Sequence, residues 1–148
     1  MDVFQILRTA GSALTAQRLR MDVISNNLAN IETTSTPEGG PYRRAAVVFE
    51  PRPATPSVTY DRPGARPPRV KNAGVQVAAI VEDARPPRRV YDPQHPQADA
   101  DGFVEYPNID LVVELTNLLG ANRAYEASVN VIEAAKTMAQ RALDIGRG

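Results

Sequence analysis

The chain of 148 residues has no cysteine, no tryptophan and a single histidine, with only five tyrosines and three phenylalanines. Without cysteine there can be no disulfide, no thiolate metal site and no cysteine nucleophile. One histidine, His95, cannot furnish a two- or three-histidine metal centre, and no G-x-S-x-G elbow accompanies it. His95 is therefore read as a turn or packing residue. Charge of one sign is not in excess either: 17 Lys and Arg balance 17 Asp and Glu. That balance argues against general nucleic-acid binding, which needs surplus cations for phosphates. No run approaches the roughly 18 apolar residues of a membrane span. The N-terminus lacks the apolar stretch of about 7–15 residues that marks a secretory signal. The expectation is a soluble chain that does not use the general secretory route, with no cofactor, no metal and no small-molecule substrate.

Proline is abundant, and its placement divides the chain. All 13 prolines fall between Pro37 and Pro107. Proline in a helix interior costs about 3 kcal/mol, so long helices are confined to the two ends. Three segments follow: an N-terminal heptad helix within 1–36, a Pro-rich β/loop middle at 37–107, and a C-terminal heptad helix within 108–148.

In the first segment Val3, Leu7, Ala10, Leu14, Gln17, Met21, Ile24, Leu28 and Ile31 recur at alternating four- and three-residue spacing. This is a narrow a/d stripe, the seam of a coiled-coil-like contact. In the last segment Leu111, Leu115, Leu118, Asn122, Tyr125, Val129, Ile132, Lys136, Ala139 and Leu143 repeat the spacing. Asn108 or Asp110 can cap this helix, and Gly146 can stop it. Polar Gln17 and Asn122 either specify register or face water. A close helix neighbour would explain Gly11. The middle offers strand-like runs at 45–49, 75–81 and 103–106, the last preceded by an Asp101-Gly102 turn. Residues 51–71, rich in proline and arginine, read as an extended loop. Asp99-Ala-Asp101-Gly faintly resembles a calcium loop, but Phe103 stands where an oxygen ligand is needed.

The fold class expected is mainly α with a small β-rich middle, the two long terminal helices packing antiparallel as a coiled-coil-like layer. Two such helices leave apolar surface that the middle cannot cover, so the chain is expected to assemble. A homodimeric coiled-coil scaffold fits these patterns as an alternative. An enzyme would need convergent acid, base or nucleophile residues that the expected core lacks.

Longer motifs sharpen this reading. Ser25-Asn26-Asn27-Leu28-Ala29-Asn30-Ile31-Glu32-Thr33-Thr34, then Gly39-Gly40-Pro41-Tyr42-Arg43-Arg44, resemble the N-terminal signature of flagellar axial proteins, within them the basal-body rod family and its proximal-rod subgroup. Residues 91–96, 102–108, 122–127 and 142–147 are similar to the same family. Glu32 departs from the pattern, which often has asparagine there. The resemblance implies a structural subunit of a hollow helical periplasmic rod that transmits torque. It implies terminal helices packed as the inner layer. The partners implied are other rod subunits, further copies of this chain, adjoining components at the base of the rod, and the flagellar type III export apparatus, which needs no cleaved signal.

Overall fold

The computed structural model describes residues 3–53 and 72–146. Most of the Pro/Arg-rich loop read at 51–71 therefore lies outside the described residues. The elements are α1 (Val3–Ala29), β1 (Ala45–Pro53), β2 (Asn72–Glu82), β3 (Arg88–Tyr91), β4 (Phe103–Tyr106) and α2 (Leu111–Ile145). The two helices, 27 and 35 residues long, would span roughly 40 and 52 Å. They pack on each other, with the small antiparallel sheets between them in sequence, as the fold class expected.

α2 begins at Leu111 because Asp110 caps it. Its carboxylate accepts the Val112 and Val113 backbone N–H groups at 2.9 and 3.1 Å, satisfying two of the donors a helix start leaves free. Gly146 ends the helix with right-handed dihedrals, φ −76°, so it stops α2 without the left-handed turn its type permits. Gly11 has nothing within 4 Å of where a Cβ would sit. Close helix approach is therefore not its reason.

β1 and β2 form a two-stranded antiparallel ribbon that pairs Ala45 with Glu82 and Val47 with Ile80. A register shift follows Val48. Pro51 pairs with Val75; a two-stranded ribbon has only edges, where proline's missing donor is tolerated. β3 pairs with β4, Arg88 opposite Tyr106 and Tyr91 opposite Phe103. Sequence patterning missed β3 because its Arg88-Arg89 start reads as a charge pair.

α1 is the shared element: it packs against both α2 and the β1–β2 ribbon. The antiparallel sense follows from side-chain contact, since Asn27 near the end of α1 meets Glu114 in the first turn of α2. The buried apolar set is Ala10, Ala16, Val23, Ile24, Val104, Ala121 and Ala135. Small side chains dominate it, so the helices approach closely while burying little area each. No described helix is long and apolar enough to cross a membrane.

Candidate assembly interface

The best-enclosed polar cluster lies where α1, α2 and the start of β1 converge. Asn27 and Glu114 are fully buried. The Asn27 amide grips the backbone of Ala45 at both ends. Its Nδ2 donates to the Ala45 carbonyl at 2.8 Å, and its Oδ1 accepts the Ala45 N–H at 2.9 Å. The same Oδ1 accepts the Tyr42 hydroxyl at 3.1 Å, and Nδ2 also reaches Glu114 Oε2 at 3.3 Å. Arg44 completes the cluster, its Nε 2.7 Å and its Nη2 2.6 Å from Glu114 Oε1. A buried carboxylate is tolerable only when paired and hydrogen-bonded, and this one meets both conditions. Burial, then the charges of Glu82 and Glu114, push the Tyr42 phenol above its usual pKa.

A second attachment holds the far end of the ribbon. Ser12 Oγ accepts the Val75 N–H at 3.1 Å and donates to the Thr9 carbonyl at 2.7 Å. Gly74 crosses directly above it with φ +122°, and a Cβ there would lie 2.1 Å from Ser12 Oγ. Only glycine suits that backbone and that approach. From Asn27 to Ser12 is about 22 Å of helix, and from Ala45 to Pro51 about 20 Å of strand. The ribbon is thus held along α1 at matching intervals.

The rod-signature residues divide between these jobs. Asn27 is the centre of the cluster. Asn30 closes the turn after α1: its Nδ2 donates to the Asn26 carbonyl at 2.9 Å and its Oδ1 accepts the Thr33 hydroxyl at 3.1 Å. The Thr33 carbonyl takes the Tyr42 N–H at 3.0 Å, which sets up the strand entry. The Thr34 hydroxyl meets the Gln97 side chain in the β3–β4 loop. Ser25, Asn26, Ala29 and Arg43 are exposed.

The seam residues divide as well. On α1, Ile24 is buried and Leu7, Leu14, Met21 and Leu28 are half-buried. On α2, Leu118, Tyr125, Val129 and Ile132 are half-buried, but Leu111, Leu115 and Leu143 are 51, 44 and 68 % exposed. The less exposed face of α2 runs instead through Glu114, Leu118, Ala121, Tyr125, Ser128, Val129, Ile132, Ala135 and Ala139. Leu111, Val112, Leu115 and Leu119 form an outward ridge over the first turns of α2. Asn122 faces water and donates to Glu126 at 2.9 Å. Gln17 is half-buried, and its Oε1 has no hydrogen-bond partner. Between the helices, nearer the N-terminus of α1, an apolar groove of about 710 Å³ is floored by Ala10, Ala13 and Ala127.

The β3–β4 unit is held by its own contacts. Asp99 Oδ1 accepts the Phe103 and Asp101 N–H groups at 2.8 and 3.0 Å, and its Oδ2 meets Arg89 Nη2 at 2.7 Å. These bonds, the Phe103 one foremost, hold the carboxyl below its usual pKa. The carboxylate is thereby occupied as a turn-forming group. His95 accepts the Gln97 N–H on Nδ1 at 3.2 Å and lies edge-on to Tyr106. Among the described residues no three His, Asp or Glu converge as metal ligands.

Arg44 stands in the signature motif as one of a charged pair, whereas Glu114, Ser12 and Gly74 belong to no motif read from the sequence. One signal was present: Glu114 is the single charge within the apolar run 111–115.

The family profile described as flagella basal body rod protein matches residues 7–35, and the C-terminal profile of flagellar basal body rod FlgEFG proteins matches residues 100–145. The chain is 44 % identical to the flagellar basal-body rod protein FlgC of Borreliella burgdorferi, with 100 % of both chains covered. It is 40 % identical to FlgC of Bacillus subtilis and 37 % identical to FlgC of Salmonella typhimurium, in each case over 99 % of this chain and 100 % of the relative.

Proposed function

The chain belongs to the flagellar basal-body rod protein family, and from that premise we propose how it serves as one block of a hollow periplasmic shaft. It is a structural subunit of the rod and not an enzyme. In our reading α1 and α2 form the inner layer of the tube, and the β1–β2 ribbon and the β3–β4 unit project outward against neighbours. Torque passes through many parallel long-helix contacts rather than through any one residue. The neighbours are further copies of this chain, other rod subunits and the components at the base of the rod. The chain reaches them through the flagellar type III export apparatus.

The observation that carries this reading is the inverted distribution of side-chain size. Among the described residues, four of the seven buried apolar ones are alanines, while Leu111, Val112, Leu115, Leu119, Met138, Leu143 and Ile145 are all more than 40 % exposed. Burying a leucine contributes about 1.5–3 kcal/mol, so a subunit arranged this way gains most of its apolar burial from neighbours. A head-to-tail contact between such faces does not close, and it builds a helical tube. The small internal core also suits a chain that must thread an export channel unfolded. Ordering then proceeds with assembly, from the well-packed Asn27 end toward residues 140–145, all of them exposed.

The test is the pair Leu111→Asp and Leu115→Asp. Both side chains face outward, so the free chain should keep its helical circular dichroism while cells carrying the variants fail to complete rods and do not swim. Normal swimming with normal rods would overturn the assignment of this ridge to the interface.

A further inference from the structure

The 4-3 leucine pattern of α2 and the face α2 turns toward α1 differ by a rotation. Leu118, Tyr125, Ile132 and Ala139 belong to both. The other half of the seam moves by one residue, with Glu114, Ala121 and Ala135 buried where the leucine pattern places the exposed Leu115, Asn122 and Lys136, while Ser128 and Val129 are both half-buried. Half of a step of about 100° per residue gives a rotation of about 50°. In the first turns the result runs against apolar burial: a carboxylate is fully enclosed, while Leu115 beside it is 44 % exposed and Leu111 51 % exposed.

We propose that the Asn27–Arg44–Glu114 clasp is a phase lock, which holds α2 in the rotation that turns its leucine ridge outward for assembly. Glu114 is the positioning residue. Its Oε1 takes both Arg44 contacts, at 2.7 and 2.6 Å, and its Oε2 takes the Asn27 amide at 3.3 Å. Arg44 is itself fixed, because the next residue, Ala45, is held on both backbone atoms by Asn27. Rotating α2 to bury Leu115 would draw the carboxylate away from the half-buried Arg44 and separate the enclosed Glu114 charge from its cation, which is unfavourable. Further along α2 the same rotation keeps Lys136 in water and Ala135 inside, so the rest of the helix accepts the phase that the clasp sets. The lock also makes ridge presentation conditional. It exists only when segment 42–45 has docked on α1, so a chain whose ribbon is not yet in place does not display the assembly face.

This rests on the ridge being an assembly face, but its test does not require a rod. The chain has no cysteine, so Leu115→Cys supplies a unique thiol in the full-length protein. Its rate with a small maleimide is measured in the free chain and compared with the urea-unfolded chain. With the clasp intact the rate should fall within about 3-fold of the unfolded value, as the partial exposure of Leu115 implies. In the Arg44→Met background Glu114 loses its cation and turns toward water. In the Arg44→Leu/Glu114→Leu background the first turns are free to bury their largest apolar face. Both should slow the thiol by about 10-fold or more with helical circular dichroism retained. An unchanged rate in either folded variant overturns the lock. A variant that unfolds, with the fast rate of the denatured chain, also overturns it, because the clasp would then hold the fold itself rather than set a rotation. Failure here with non-motile Leu115→Asp cells would leave the rod interface standing. Success here with motile Leu115→Asp cells would do the reverse.

Discussion

Replacing Asn27 with alanine removes more polar pairing than any other single truncation on α1. Four hydrogen bonds are lost: two to the Ala45 backbone, one from Tyr42 and one to Glu114. At about 0.5–1.5 kcal/mol net for each, with the part-buried Ala45 groups left unpaired, the cost is about 3–4 kcal/mol. Domains are stable by only about 5–15 kcal/mol, so this is a large fraction of the total. For a chain near this size each kcal/mol shifts Tm by about 2–4 °C, so a fall of roughly 6–16 °C is expected. The assay is a thermal melt of the full chain followed by circular dichroism, with Asn26→Ala as the matched control. Asn26 is the exposed neighbour in the same signature, and its truncation should cost no more than about 0.5 kcal/mol. A Tm for Asn27→Ala within 2 °C of the parent would refute the claim that Asn27 organises the junction. Equal losses from both variants would show that the motif acts through the helix end in general.

Three further outcomes follow from the geometry. Gly74→Ala places a Cβ 2.1 Å from Ser12 Oγ at φ +122°; a loss of about 2 kcal/mol is expected, and an unchanged melt would show that the ribbon does not approach α1 this closely. Tyr42 should ionise above its ordinary value of 10 in an ultraviolet titration, because burial and then Glu82 and Glu114 disfavour phenolate. Its folded pKa is raised, so its contribution to stability is complete below pH 10 and is lost as pH rises through the higher folded value; a midpoint at or below 10 would contradict the enclosed position. The free chain at low concentration should show less helix than the 27 and 35 residues of α1 and α2 together. Full helicity in the isolated chain would show that ordering does not depend on neighbours.

Local and periodic features were open to direct reading. Proline exclusion placed both helices at the ends, and strand-like apolar runs at 45–49, 75–81 and 103–106 marked β1, β2 and β4. A cap at Asn108 or Asp110 was legible because a short polar side chain before an apolar-periodic run can satisfy the helix start, and the structure places it at Asp110. β3 was not legible: four residues beginning Arg88-Arg89 carry little periodicity, and they become a strand by pairing with Phe103–Tyr106. The signature asparagines stood out as a pattern, but the pattern did not distinguish the buried Asn27 from the exposed Asn26.

What the sequence determined by itself was therefore the kind of each long element, the family and the need for partners, because those follow from spacing, composition and motif. The tertiary structure alone decided the rotation of α2. Heptad spacing allows two faces about 50° apart that share half their residues, and nothing local chooses between them. The choice is made by a carboxylate and an amide 87 positions apart in the chain, together with the arginine that enters beside them with the strand. A buried charge must find its partner wherever the fold supplies one, and that requirement outweighs the burial of two leucines.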